Sequence, residues 1–458
     1  MLLGKRFDSF VEESPVSVMV RGTLERVFDP AQLERVFETN AVLQYTKELA
    51  FAQCVQAMSD VVFQVSPTVG AWYKDHQDDV PVTRQSLYDK LKHLELGTSA
   101  GLVAYSAAAL LPVVRSMKAR RKPLLPHYHV RMLDGNHLTG TEHRIFELRP
   151  HRAAALPGQA LVLYDPRFDL ITHVVPCEDA YTQERALLPR VLELIAARDC
   201  LVMDRNFCTL GFLFGVSDRG AFFVNRQHAT LPFELKGRRR QAGTDDEGRP
   251  IYEQTVCLTN PDTGETLTLR RITIPLPKPT RSGETEIHIL TNLPTKAADA
   301  VKVAALYRDR WTIEIAFWHL SEEFESEINT LGYPKAALFG FAVALVAYNV
   351  VALVKAAMRA VWGESFVEEQ LSLYYLTLEV SRVSWGMMIA IPESDWDVFR
   401  TMTTKQFGDV MLELAKHMNT KKYTKHKRGP KKKPTKKISG KRNHHLSTAR
   451  ILAARVTK

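Results

Sequence analysis

Tyr307, Arg310 and Glu314, spaced along the segment A-L-Y-R-D-R-W-T-I-E-I-A-F-W-H-L-S, are the first residues of this sequence that suggest chemistry. On a helix turning about 100° per residue they fall within roughly 60° of arc, so a phenol, a guanidinium and a carboxylate share one face. Leu306, Ile313, Phe317, Leu320 and Phe324 make an apolar stripe beside that row. The pattern predicts a core helix presenting polar groups at the rim of a cleft. By itself, Arg and Glu four apart is most often a solvated ion pair. Two upstream aspartates change that reading. In H-Y-H-V-R-M-L-D-G-N-H-L, Tyr128, Val130 and Met132 alternate onto one strand face with Asp134, and Gly135 is expected to end the run. C-L-V-M-D-R-N-F reads as a short apolar strand ending in Asp204. A lone Asp-Gly is usually a turn. Three carboxylates on two strand ends and a rigid helix form an oxygen donor set suited to hard divalent cations, and the chemistry they suggest is metal-assisted displacement at phosphorus.

The order Asp, Asp, then Tyr-x2-Arg-x3-Glu on a helix resembles the insertion sequence four family of bacterial transposases. The resemblance covers residues 120 to 400: L-D-G-N-H-L at Asp134, L-V-L-Y-D-P-R at Asp165, M-D-R-N-F at Asp204, Y-R-D-R-W-T-I-E from Tyr307 to Glu314, and S-W-G-M-M-I-A-I-P-E-S-D-W up to Trp396. It departs from the family at one place, where the pattern continues to a Lys seven residues after the Glu and this chain has Ser321. The resemblance implies an α/β fold: a ribonuclease H-like catalytic core interrupted by a β-rich insertion, with a helical N-terminal domain and a basic C-terminal tail. It implies a DDE-type transposase, a nuclease and strand transferase. Asp134, Asp204 and Glu314 would hold two Mg²⁺ ions, with Mn²⁺ able to substitute, while Arg310 clamps a phosphate and Tyr307 hydrogen-bonds the same strand. The partners implied are double-stranded DNA, as element terminal repeats and target, and a second copy of the chain on that DNA, with no membrane and no small-molecule substrate. Two rival readings on the same fold are a catalytically lapsed DNA-binding repressor and a structure-selective nuclease. Lys335 and Arg205 are candidates to replace the missing cation at 321.

Charge agrees with a nucleic-acid partner. The chain has 61 Lys and Arg against 51 Asp and Glu, net +10, but residues 421–458 hold 15 of the basic residues and no acid. Without them 46 basic residues face 51 acidic ones, net −5, so the positive charge is local. The tail around K-K-Y-T-K-H-K-R-G-P-K-K-K-P is too charged and Pro-broken for a core and is expected to be disordered. Lys421, Lys422, Lys425, Lys427, Arg428, Lys431, Lys432 and Lys433 are its candidate phosphate contacts. Five cysteines form no C-x-x-C pair and read as reduced core residues. The amino terminus lacks the form of a secretory signal, and a cytoplasmic, nucleoid-associated bacterial protein is expected. The apolar run from Ala336 to Val354 is long enough to suggest a membrane span, but its alanines, with Tyr348 and Asn349 inside it, suit a buried helix packed behind the catalytic one.

The elements that must position the acids follow from periodicity. Residues 1–120 are helical by pattern and are expected to recognise DNA. Within them V-T-R-Q-S-L-Y-D-K-L-K-H-L resembles the second helix of a helix-turn-helix, with Thr83 as N-cap and Arg84, Gln85 and Lys90 exposed. Residues 121–230 form the first part of the core, with strands around 128–133, 143–149, 160–165 and 170–176, a helix from Tyr181 to Arg198, and the Asp204 strand. Residues 231–294 are the β-rich insertion, with strands around 251–259, 266–274 and 285–291 and Tyr252 as its base-stacking candidate. Residues 295–416 return to the core and its C-terminal helices, and 417–458 are the tail. In the ribonuclease H-like fold the first and fourth strands lie side by side, which would bring Asp134 and Asp204 together.

Overall fold

The computed structural model describes residues 3–426 and 429, apart from 47, 143, 151, 153, 281 and 282. Residues up to Thr424 form one compact unit, and a second begins at Lys425. Among the described residues nine strands make a single sheet: β1 (His129–His137), β2 (Gln159–Asp165), β3 (Leu170–Cys177), β4 (Asp199–Met203), β5 (Phe222–Arg226), β6 (Glu234–Thr244), β7 (Pro250–Thr259), β8 (Thr266–Pro275) and β9 (Glu286–Thr291). Their order is β3-β2-β1-β4-β5-β9-β8-β7-β6. β1 runs antiparallel to β2 but parallel to β4, and β4 is parallel to β5. The first and fourth strands are thus neighbours, as the resemblance led one to expect.

Alternation explains why these runs are central strands. Val130 and Met132 of β1, Ala160, Val162 and Tyr164 of β2, and Cys200 and Val202 of β4 enter one core. Leu133, Leu161, Leu163, Leu201 and Met203 enter the other. A strand buried on both faces needs a nearly continuous apolar run, which is what these segments supply. The larger core is built around the helix Pro334–Trp362, whose most apolar window lies wholly inside the protein. That helix and Leu96–Ser116 are each long and apolar enough to cross a membrane by length and composition. Pro334–Trp362 packs chiefly on Leu96–Ser116 and Thr404–His417, then on Phe51–Val62 and β3, and only marginally on the helix that carries Glu314, where it was expected.

Asn349 shows how that helix binds the sheet. Its Oδ1 accepts the Ile171 N–H at 2.7 Å, and its Nδ2 donates to the Ile171 carbonyl at 2.8 Å and to Ser106 Oγ at 3.0 Å. The side chain thereby completes the outer edge of β3, where no further strand follows. Asn349→Leu would leave a buried N–H and C=O unpaired, so a loss of about 2–4 kcal/mol in unfolding free energy is expected from urea titration. A loss below 0.5 kcal/mol would show that the edge finds other partners.

Several expectations are corrected. Residues 143–149 are no strand: Phe146–Leu148 is a 3₁₀ turn with Phe146 exposed, and β1 pairs directly with β2. Charged residues surround Ile145 and Phe146, and Pro150 follows, so the segment lacks alternation and a continuing donor. Gly135 does not end β1, which stays in register with β2 through His137. The helix expected over 181–198 shrinks to a 3₁₀ turn, Glu184–Leu187, and the short helix Leu188–Leu192. Pro189 lacks the N–H that would extend a longer helix backward through it. The strands expected as a separate insertion extend the core sheet instead, because β9 pairs antiparallel with the free edge of β5 and β8, β7 and β6 follow outward. β6 itself went unseen, since E-L-K-G-R-R-R-Q-A-G-T has no apolar alternation. It is an edge strand whose pairing with β7 slips twice, the form in which edges tolerate charge. The chain from 417 is not all loose tail: the 3₁₀ turn Thr420–Tyr423 buries Tyr423, whose carbonyl accepts the Ser372 N–H at 2.7 Å.

At the start of β1 a histidine ties three strands. His129 Nδ1 meets Asp199 of β4 at 3.0 Å and Nε2 meets Asp165 of β2 at 2.7 Å. These two carboxylates outweigh burial and push the imidazole up to about 9. A folded pKa above the unfolded value of about 6.5 means stabilisation fully present below that value and lost as pH rises through the folded one. The ring is half-exposed, so with solvent screening the contribution is about 1–2 kcal/mol. Thermal melts should therefore fall between pH 6.5 and 9.5 in the wild type and change less in His129→Gln. Parallel curves for the two proteins would refute the coupling.

Candidate active site

The last backbone pair between β1 and β4 is Leu133↔Met203. Asp134 and Asp204 are thus the next residue on each of two adjacent parallel strands, at the point where the strands part. Asp134 continues in β1, opposite Val162 of β2. Asp204 leaves its strand and caps the 3₁₀ turn Arg205–Phe207. Asn225, fully buried on β5, holds the bend by donating from Nδ2 to the Asp204 carbonyl at 2.8 Å.

The third acid comes from the helical segment. The single helix expected there is two, Ala300–Asp309 and Trp311–Glu323, meeting at Arg310. Arg310 keeps helical angles, φ −52° and ψ −32°. Its N–H bonds the Tyr307 carbonyl and its carbonyl accepts from Ile313 N–H, a tighter i to i+3 pattern. The junction is a local tightening, so the row of Tyr307, Arg310 and Glu314 survives it. Leu306, Ile313, Leu320 and Phe324 are buried as the stripe predicts.

Two hydrogen-bonded groups take in all five residues, and they are linked by the Arg310 guanidinium lying 5.9 Å from the Tyr307 ring centre. Arg310 Nη1 donates to Asp134 Oδ2 at 3.1 Å and Nη2 to Glu314 Oε1 at 2.5 Å. Tyr307 Oη donates to Asp204 Oδ1 at 3.1 Å, and Asp134 Oδ1 accepts the Gly135 N–H at 3.0 Å. Burial pushes the Asp134 carboxyl up; Arg310 and the Gly135 N–H oppose it, Glu314 and Asp204 add to it, and the balance is about 6. Burial alone would lower the Arg310 guanidinium, but Asp134, Tyr307 and Glu314 outweigh it and hold the charge in place. Burial, reinforced by Asp204, raises the Tyr307 phenol to about 12, so it stays a donor at neutral pH.

This donor set fits a hard divalent cation. It is all oxygen, its members repel one another, and two of them already share a cation in Arg310. Among the described residues no three His, Cys, Asp or Glu side chains form a ready-made cage, and Asp134 and Glu314 are engaged by Arg310.

The other predicted contacts divide. Thr83 caps Arg84–His93 by accepting the Ser86 N–H, and Arg84 and Gln85 are exposed on it. Lys90 is not available: its ammonium bonds the Tyr45 carbonyl at 3.1 Å and lies 4.4 Å from the Phe37 ring centre. The residue is half-buried, its long stem covering apolar surface. Lys421 is exposed and Lys422 reaches Glu13. Lys425 is exposed, whereas Lys427, Arg428, Lys431, Lys432 and Lys433 lie outside the described residues. Tyr252 has the Arg239 guanidinium 4.2 Å from its ring centre. Lys335 pairs with Glu178 and Arg205 with Glu284. Ser321, exposed, donates to the Trp318 carbonyl of its own helix at 3.0 Å.

Sequence reasoning missed three features. Arg226 ends β5 beside the Asp204 bend, close enough to act on the Tyr307 phenol electrostatically; the only signal was a strand ending in N-R. Lys236, Arg238, Arg239 and Arg240 stand exposed along β6. Trp311, Ile315 and Trp318 form an exposed apolar strip beside Glu314, legible from their spacing of four and three.

Residues 126–350, just under half of the chain, match the family model described as the transposase DDE domain, and the span includes all five networked residues. A protein of Sinorhizobium fredii (strain NBRC 101917 / NGR234) provisionally named transposase y4zB is 26% identical over 200 residues, 43% of this chain and 52% of that one. The chain thus spans about half the length of this curated relative. The solved piggyBac transposase synaptic complex with hairpin DNA aligns over 86% of each chain at 11% identity with a TM-score of 0.34. The domain match and the Sinorhizobium relative together support the DDE transposase family for this chain.

Proposed function

We propose that the chain is a metal-dependent transposase that cuts DNA at the terminal inverted repeats of an insertion sequence and transfers the strands to a target, acting as a homodimer on DNA. The observation that carries this reading is the network through which Arg310 and Tyr307 gather Asp134, Asp204 and Glu314 from three distant stretches of chain. The strand order β3-β2-β1-β4-β5, with β1 and β4 parallel, supports a ribonuclease H-like core. In domain terms the proposal is a DNA-recognising helical part over 1–120, a core over 121–230 and 295–416, strands 231–294 as its extension, and a basic tail over 417–458.

Asp134, Asp204 and Glu314 would hold Mg²⁺ or Mn²⁺, which when bound activates the attacking oxygen and stabilises the leaving one. The protein's own groups do the rest. Arg310, displaced from a carboxylate, offers a guanidinium fork to a phosphate oxygen at the same place. Tyr307, protonated at neutral pH, fixes the Asp204 carboxylate or donates to the strand. Arg238 and Arg240 of β6 add exposed guanidiniums, and Arg84, Gln85 and the tail add contacts that position the duplex.

The test is a supercoiled plasmid carrying matched element ends, incubated with the full chain and Mg²⁺. Cleavage at the ends with joined products is expected. Cutting without joining would identify a structure-selective nuclease, and end binding without cutting a lapsed repressor. Ser321 gives a finer check, because on its helix it lies within about 20° of Glu314. Ser321→Lys adds a cation on that face, so end binding at raised salt should rise about two- to fivefold. Loss of activity in a folded Ser321→Lys protein would show that this face does not meet DNA.

A further inference from the structure

At the opposite end of β1 lies a cavity that the proposed reaction does not use. It measures about 880 Å³ and is bounded on one side by the helix Leu96–Ser116 and on the other by the start of β1 and the turn between β2 and β3. His129 stands in its wall, five residues before Asp134 on the same strand, so roughly 16 Å separates the two sites.

The lining has two characters. Ala104, Ala107, Ala108 and Leu111 follow one face of the helix and meet Phe168 of the β2–β3 turn and Leu170 of β3, an apolar wall. Around it stand Arg115, Arg167 and Arg198, none of them in an ion pair among the described residues. Arg115 and Arg167 both lie over the Phe168 ring, at 5.3 and 5.5 Å from its centre. His129 adds a fourth positive group, kept charged by Asp165 and Asp199. The lining has one carboxylate, Asp165, and it is committed to His129 and to the Arg167 N–H at 2.9 Å. His173 is neutral, since burial and Arg131 push it down to about 4.

His127 and Arg198, on the cavity rim, have φ of 65° and 68°. Non-glycine residues in this region cost about 1 kcal/mol or more each and collect at binding sites. Arg198 is kept there by two bonds, its N–H to the Gly220 carbonyl and its carbonyl from the His129 N–H.

Guanidiniums without carboxylate partners, set around an apolar wall of ligand size, match a phosphate attached to a flat organic body. We propose that this cavity binds a nucleotide through Arg115, Arg167 and Arg198, with the base against the apolar helix face at Ala104, Ala108 and Leu111. The phosphate ester comes either from a free nucleotide or from the phosphorylated end of a strand.

Isothermal titration of the full chain in EDTA separates the sources and is independent of the metal-dependent reaction. Three probes are used: ATP, inorganic phosphate, and a short 5′-phosphorylated single strand. Saturable binding of ATP at least tenfold tighter than inorganic phosphate is expected if the source is the free nucleotide. Binding of the phosphorylated strand, lost without its 5′-phosphate, identifies the strand end. In either case Arg115→Ala/Arg198→Ala, both exposed, should weaken binding at least tenfold at unchanged melting temperature, as should Ala108→Trp, which narrows the cavity without altering charge. Asp134→Asn should leave binding unchanged. The proposal is overturned if no probe saturates below millimolar concentration, if inorganic phosphate binds as tightly as ATP, or if Asp134→Asn removes binding while the cavity variants retain it.

Discussion

Asp134→Asn, Asp204→Asn and Glu314→Gln are each expected to lower plasmid cleavage in Mg²⁺ by about a thousandfold or more, while end binding in Ca²⁺ stays within about twofold. The substitutions are isosteric. An Asn or Gln amide oxygen can still accept from Arg310 or Tyr307, so the contacts at 3.1, 2.5 and 3.1 Å have a replacement and the fold should persist. What disappears is the negative charge that an ion requires. The three variants test the residues one at a time, because Arg310 touches Asp134 and Glu314 whereas Asp204 is held by Tyr307 instead. Retained cutting in any folded variant would remove that residue from the metal site. Equal loss of DNA binding would show that the acids organise the DNA surface.

Removing residues 427–458 should weaken binding to every DNA sequence alike, by about a hundredfold at moderate salt, and flatten the salt dependence. Twelve of the chain's Lys and Arg residues lie in that stretch and no acid does. The truncation point is set by the fold. Tyr423 is buried with its hydroxyl on Glu379, and Thr424 bridges to Leu371, so a cut at 421 would damage packing as well as charge. Salt titrations on matched and unrelated duplexes decide the matter. If the truncated protein loses preference for the element ends but keeps its general affinity, the tail reads sequence and the phosphate assignment fails.

The acids were legible in the sequence because each sits in a local pattern that fixes its direction. A strand alternates with period two, and a helix brings residues three, four and seven apart onto one face. Those periods alone set Tyr307, Arg310 and Glu314 in a row, and Asp134 and Asp204 at the tips of apolar runs. The buried helix around Asn349 was legible for the same reason. Local periods do not say which strand lies beside which. The closing of β9 onto β5, which merged the expected insertion into one sheet, depends on an unpaired strand edge and is a property of the assembled sheet. Nor could they show β6, whose charges carry no alternation and whose pairing is supplied by β7. Lys90 looked free on its helix, and only the approach of Phe37 and Tyr45 half-buried it and engaged its ammonium. Arg310 was expected to face phosphate; the tertiary structure gives it to Asp134 and Glu314, because two partly buried carboxylates brought together from different elements attract the nearest cation. The sequence by itself determined which groups face which way along each element. The tertiary structure decided which of them meet, since charge pairing, desolvation and edge pairing depend on distances between elements that no local pattern contains.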